Sequence, residues 1–241
     1  MAIRPIFIPT YKLDQYVRVE SIEFTWFPGL SISQKQKSIE SLHQSAISQK
    51  KCKKPLEVSS KSPLELGKEL SAFNLGINID KGRFTVETYF QSSKVFKSSS
   101  EHSVDDGPYI DLLYGKSINA KKDPRILERN ALLINFQTPK GDIWGLQPKT
   151  AFYDWVYINT LQKNPNLIYE LDRFDSFTDI EFNPEKSWNC QAYALALFKS
   201  LKHQGLLEKA LSSKENFLKI INLQKEPDAH CQLHMNKGLF D

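Results

Sequence analysis

The stretch SWNCQAYALALFKSLKHQG, Ser187 to Gly205, constrains the fold more than any other part of the chain. At about 100° per residue, its Ala, Leu, Tyr and Phe side chains spread around most of a helical circumference before Gly205 supplies a stop. A helix apolar on nearly every side must be covered on nearly every side, so it belongs at the centre of a core. The rest of the chain supplies the cover. YVRVESIEF (Tyr16–Phe24) alternates and is β-branched, as a strand should be, and ends at the WFPGLS turn. Ser31 or Ser33 is placed to cap a helix running toward Ser48, with Ile32, Ile39, Leu42 and Ala46 on its inner side. PLEVSS reads as a short strand, SPLELGKEL as a helical turn or two begun by Ser62 and Pro63, and GINIDKGRF as a turn. ALLINFQT and FDSFTDIEF read as strands. TAFYDWVYINTLQKN is an amphipathic helix with Phe152, Trp155, Val156 and Leu161 inward, and another helix covers about Leu206 to Leu223. The expected class is α+β: a helix-rich single domain over residues 1–241 with a small β-sheet.

Composition narrows the function classes. With 40 % hydrophobic residues and no apolar run approaching eighteen, the chain is globular and is expected to have no membrane association. Its start, MAIRPIFIPTYKLDQ, has two early prolines and no apolar h-region, so no signal peptide is expected and the default location is cytoplasmic. Cys52, Cys190 and Cys231 form no CxxC pair, which suits a reducing compartment. HCQLH brings His230, Cys231 and His234 together but offers no fourth ligand at a familiar spacing, so no metal is expected. Neither GxGxxG after a strand, a Walker A loop, HExxH nor GxSxG occurs, and no cofactor is expected. The net charge of +4 is uneven: lysines crowd Gln34 to Pro55, where only Glu40 opposes them. That stretch is either a footprint for a polyanion or a solubilising face. Lys97 to Tyr109, rich in Ser, Asp, Gly and Pro, reads as a lid or a plain connection.

Chemistry concentrates in TVETYFQSSKVF (Thr85–Phe96). On one short helix Glu87, Gln91 and Lys94 share a narrow arc among aromatic residues. The arc is a solvated stripe, or it is an amine prepared for attack: shelter from water lowers a lysine's pKa, and a neighbouring carboxylate moves protons. Other polar residues sit in apolar context. These are Ser71 and Asn74 around Phe73, Asp154 beside Trp155, and Asp179, Glu181, Asn183, Lys186 and Asn189 in FTDIEFNPEKSWNCQA. The last group also reads as a turn at Asn183–Pro184 followed by an N-cap at Ser187.

LSAFNLGINIDKGRFTVETYFQSSKVF resembles the NADAR superfamily motif, and LQKNPNLIYELDRFDSFTDIEF resembles its second block. FTWFPGLSISQKQKSIESLH, LEVSSKS, TAFYDWVYINTL and FTDIEFNPEKSWNCQA are similar to the NADAR branch that accompanies guanine-directed DarT toxins. The resemblance covers roughly residues 17–201. It implies a single NADAR domain, with 1–55 as a branch-specific extension and a core over about 56–225. It further implies an antitoxin N-glycosidase that removes ADP-ribose from guanine in DNA, single-stranded by expectation, with the cognate toxin as a possible partner. In that setting Lys94 is the expected nucleophile and Glu87 the acid/base. The alternative has Glu87 or Asp179 activating water while Lys94 holds the substrate. Ser71, Phe73, Asn74, Gln91, Tyr109, Asp154, Trp155, Glu181, Asn183, Lys186 and Asn189 are the expected substrate-binding residues. Phe73, Trp155 and Tyr109 offer flat surface for a base, though Trp155 reads first as ordinary core. Competing readings are a glycosidase of the same superfamily acting on a riboflavin-pathway metabolite, and a non-catalytic module that binds ADP-ribose or the toxin.

Overall fold

A computed structural model describes residues 1–12, 15–79, 82–97, 105–127 and 131–222. The His230, Cys231 and His234 group and most of the expected lid segment lie outside the described residues. The fold is α+β, and its contacts group into two compact units: Met1–Ser71 with the chain from Pro165 onward, and Ala72–Asn164 between them.

The first unit opens on a long antiparallel hairpin, β1 (Ala2–Lys12) and β2 (Gln15–Phe24), followed by helix α1 (Ile32–Ser48), strand β3 (Pro55–Glu57) and the short helix α2 (Glu65–Glu69). Ser31 caps α1 by accepting from the Gln34 amide, as its position in the sequence predicts. Ile39, Leu42 and Ala46 are buried, whereas Ile32, in the first turn, is exposed. The helix expected from Ser62 starts later, with Leu64 at its cap.

The second unit begins with the hairpin β4 (Gly76–Ile79) and β5 (Gly82–Thr85), which runs directly into α3 (Val86–Ser92). Strand β6 (Lys94–Phe96) leaves α3 after a single capping residue, Ser93. Here the structure corrects the sequence reading, which kept Lys94 on the helix. After a 3₁₀ turn (Ile110–Leu112) come α4 (Ser117–Lys121) and α5 (Pro124–Leu127). Strands β7 (Leu133–Gln137) and β8 (Ile143–Trp144) join β6 in an antiparallel sheet, and α6 (Ala151–Gln162) packs against α3. Phe90 of α3 meets Phe136 of β7 and Phe152 and Tyr153 of α6, with ring centroids 5.2, 6.1 and 5.3 Å away. These rings are the core of this unit.

The chain then completes the first unit with α7 (Pro165–Leu171), β9 (Ser176–Thr178), α8 (Gln191–His203), α9 (Leu207–Ser212) and α10 (Lys214–Ile221). β9 inserts between β1 and β3, giving the order β2-β1-β9-β3, parallel to β3 and antiparallel to β1. Successive strand residues face opposite sides of a sheet. Ile6 accordingly joins Ile22, Phe24, Ile39, Leu42, Ala46 and Ile180 on the α1 side, while Phe7 packs edge-on against Tyr193 of α8, 5.9 Å away. Helix α8 is the central helix that its sequence demanded, with Ala192 to Phe198 continuously buried. It starts at Gln191 with Cys190 as its cap rather than at Ser187. The helix expected over Leu206 to Leu223 is broken by Ser213, which caps α10 through the Asn216 amide. Among the described residues no helix is long and apolar enough to cross a membrane.

Candidate functional site

The expected site residues fall in both units, and each group stands on its own geometry. In the second unit, Thr85 ends β5 and caps α3 in a reciprocal capping box with Thr88, which fixes how the helix starts. The Glu87 amide, in the first turn, donates to the Ala72 carbonyl at 2.9 Å, tying the helix to the LSAFN segment. The Glu87 side chain is buried, and its Oε1 accepts from Gln91 Nε2 at 3.0 Å, one turn along. Gln91 Oε1 is buried and has no hydrogen-bond partner among the described residues.

Lys94 is half-buried, with its Nζ 5.2 Å from the centroid of the Phe90 ring. Burial pushes its pKa down to about 8; Glu87 pulls it back up, and the ammonium of Lys121 pushes it down again. About a tenth of Lys94 is therefore a free amine at pH 7, and the charge of the Glu87 carboxylate is felt at that amine. Lys121 was missed by the sequence reading. Its Nζ lies 5.1 Å from the centroid of the Phe73 ring.

Phe73 is half-buried and Asn74 exposed, the Asn74 carbonyl accepting from Arg83. Tyr109 is buried, and the Arg125 guanidinium covers its ring at 4.8 Å. Arg125 in turn pairs with Asp111 and Asp123. Asp154 is buried on α6. Trp155 is half-buried against Trp144, with ring centroids 5.0 Å apart, and its indole nitrogen is buried without a partner among the described residues. The structure thus strings Glu87, Gln91 and Lys94 along α3 and into β6, with the LSAFN segment tied to the helix start through Ala72.

In the first unit, Asp179 follows β9 and is 8 % exposed. Burial raises its pKa to about 8, the nearby Glu57 carboxylate adds to the rise, and bonds from the Glu181 amide and the Gln191 side chain oppose it. Glu57, which the sequence reading did not single out, is 1 % exposed on β3. Its carboxylate accepts from Ser59 Oγ at 2.6 Å, Thr178 Oγ1 at 2.7 Å and the Ile180 amide at 2.9 Å. His43 Nε2 lies 2.8 Å from Thr178 Oγ1. Glu181 is exposed and pairs with Lys35 at 3.1 Å. Asn183 makes the expected turn, its Oδ1 accepting from the Glu185 amide at 3.0 Å. Lys186 is exposed, Asn189 is half-buried, and Ser71 is buried with a hydroxyl that has no hydrogen-bond partner among the described residues.

The lysines of Gln34 to Pro55 divide. Lys35 and Lys51 are engaged with Glu181 and Glu20, and Lys54 lies over the Phe174 ring, whereas Lys37, Lys50 and Lys53 project from an exposed surface. Among the described residues no cluster of three or more His, Cys, Asp or Glu side chains is arranged to hold a metal ion. No curated protein matches the sequence. The family model of the DarT1-associated NADAR antitoxin matches residues 2–231, and the chain therefore belongs to that family.

Proposed function

We propose that this antitoxin is an N-glycosidase that removes ADP-ribose from guanine bases in DNA, undoing the modification made by a DarT-type toxin. The observation that carries the reading is the half-buried Lys94 amine, its pKa lowered to about 8, beside the buried Glu87 carboxylate. The bond to be broken joins the anomeric carbon of ribose to the exocyclic amine of guanine. Opening the ribose ring makes that bond an imine, and Lys94 Nζ adds to its carbon. Glu87 passes the proton released by the lysine to the guanine nitrogen, which leaves as a neutral amine. The imine now joins ribose to Lys94. One water adds to it, the C–N bond breaks, and ADP-ribose and free Lys94 result. Gln91, through its open Oε1, accepts from a hydroxyl or amide of the substrate. Lys37, Lys50 and Lys53 contact phosphates of the DNA strand without reading its sequence.

Borohydride added during turnover of an ADP-ribosylated single-stranded oligonucleotide tests the mechanism. The expected result is ADP-ribose fixed to the peptide containing Lys94, with both trapping and release lost in Lys94→Ala. Undiminished release by Lys94→Ala overturns the lysine route. Absence of release from the modified DNA by wild type overturns the reading itself.

A further inference from the structure

Strand β2 is the long outer edge of the first unit's sheet. The order β2-β1-β9-β3 gives it a single neighbour, whereas the opposite edge, β3, is 3 residues long and opens on Pro55. The prolines of β1 fix which way the β2 backbone points. Proline has no N–H, so the pairs Pro5–Ser21 and Pro9–Val17 cannot be the hydrogen-bonded pairs of this antiparallel ladder. The bonds to β1 therefore come from Arg18, Glu20 and Ile22, opposite Ile8, Ile6 and Arg4, and the N–H and C=O groups of Val17, Val19, Ser21 and Glu23 point away from β1. Beyond the strand the next amide of that outward row, Thr25, is covered by α1: it donates to Ser41 Oγ at 3.1 Å. Those of Val17, Val19, Ser21 and Glu23 make no hydrogen bond among the described residues.

An open row of this kind is a template for another strand, and edges that must stay single are blunted by proline, lysine or a bulge. Val17 to Phe24 contain no proline and no lysine, and the irregularity of the hairpin lies outside them, at its Pro9–Lys12 end. The charges of this stretch choose the partner. Arg18 and Glu20 stand two residues apart, so their side chains share the α1 face of the sheet, where Glu20 pairs with Lys51 at 2.9 Å and with Arg18. If the strand pairs antiparallel with a copy of itself and the two-fold axis passes at Val19, Arg18 of each copy falls opposite Glu20 of the other. Both cross-strand pairs are then of opposite charge and lie at non-hydrogen-bonded positions, where side chains are closest. The same centre sets the outward groups of Val17 against those of Ser21, and those of Val19 against their own counterpart, so every open group in that span finds a partner. Moving the centre by one residue puts Arg18 opposite Arg18 or Glu20 opposite Glu20.

We propose that β2 is the interface of a homodimer: it pairs antiparallel with β2 of a second copy, centred on Val19, and joins the two sheets into one. The two-fold axis stands perpendicular to that sheet, so the α1 helices of both copies lie on the same face of it. The proposal is independent of the reaction assigned above.

The test is sedimentation equilibrium of the full-length protein over a dilution series. Wild type is expected at twice the chain mass when concentrated, falling toward 27.8 kDa on dilution. Val19→Pro removes an outward N–H and no bond to β1, and is expected to stay monomeric with an unchanged circular dichroism spectrum. Arg18→Glu and Glu20→Arg each set like charges across the interface and are expected to be monomeric alone, while an equimolar mixture of the two regains the doubled mass, because each then meets its opposite charge. This pair of variants keeps the register testable should Val19→Pro not fold. A wild type that is monomeric throughout overturns the proposal, as does a dimer that persists in Arg18→Glu, or two monomeric variants whose mixture does not associate. A chain that is monomeric alone but gains hydrogen-exchange protection at Val17 to Ser21 when a DarT-type toxin is added also overturns it, and gives the edge to the toxin.

Discussion

Replacing Glu57 tests whether the buried network of the first unit is wired as its geometry implies. The Thr178 hydroxyl has one proton, and it goes to Glu57, so Thr178 Oγ1 must accept from His43 Nε2–H. His43 is then the neutral Nε2 tautomer, in keeping with a pKa that burial pushes down to about 4. Glu57→Ala strands three donors at once. The Ile180 amide cannot re-aim, and an unsatisfied buried amide costs about 1–3 kcal/mol, while the Ser59 and Thr178 hydroxyls rotate at roughly 1 kcal/mol each. The expected loss is about 3–5 kcal/mol. Glu57→Gln keeps an oxygen for Ser59 and Ile180 and turns an amide N–H toward Thr178. Thr178 then donates to His43, which changes tautomer, at a cost of about 1 kcal/mol. Urea denaturation at neutral pH, with an unchanged m-value, measures both. If Glu57→Ala lies within about 1 kcal/mol of wild type, the three bonds do not contribute as argued. If Glu57→Gln is as damaging as Glu57→Ala, the charge matters and the donor network does not.

The same unit should show a distinctive pH dependence of stability. Folding raises Asp179 from 3.8 to about 8, so the native state holds a proton that the unfolded chain lacks, and this contribution is lost as pH rises through about 8. Folding lowers His43 from 6.5 to about 4, so its contribution is lost as pH falls through that window. The two oppose each other below 6.5, leaving a decline between 6.5 and 8 to which Asp179 contributes at most about 1.4 kcal/mol per pH unit and the raised Glu57 adds in the same direction. Denaturation midpoints across this range should fall in wild type and fall less steeply in Asp179→Asn, where burial still holds the Glu57 pKa up; equal slopes would count against the raised Asp179. Gly107, at φ +112°, sits where an added methyl would land on the Lys94 carbonyl, whereas Gly141, at φ +94°, has nothing within 4 Å of such a methyl. Both Ala variants carry backbone strain of about 1–3 kcal/mol, but Gly107→Ala should lose more stability and also slow Lys94 acylation by acetic anhydride. Equal losses with unchanged acylation would contradict the contact.

Features with a local cause could be read in the sequence. The 3.6-residue period gave the inner face of α1, and the all-round apolar run gave α8. The Glu87 and Gln91 arc survives as an i,i+4 hydrogen bond. Features with a distant cause were hidden. Strand β1 carries Pro5 and Pro9, which speak against a strand; its pairing with β9 is confined to Phe7 and Phe177, midway between them. Lys94 leaves the helix because Lys94 to Phe96 pair with Phe136 to Leu133, some forty residues on, a partnership that no helical wheel records. Glu57 looked like an ordinary strand residue, since its donors Thr178 and Ile180 come from the far end of the chain. Lys121 is placed by the bond from Ser117 to Phe73, again invisible to local pattern.

The insertion of β9 between β1 and β3 also bears on synthesis. While the ribosome is still making residues 72–164, the hairpin and β3 are already present but their shared neighbour is not, so two strand edges wait uncovered. A nascent or truncated chain that stops short of Ser176 keeps those edges open to self-association and to proteolysis. A frameshift upstream of Ser176 therefore leaves both edges uncovered, whereas one beyond Thr178 keeps the four-stranded order.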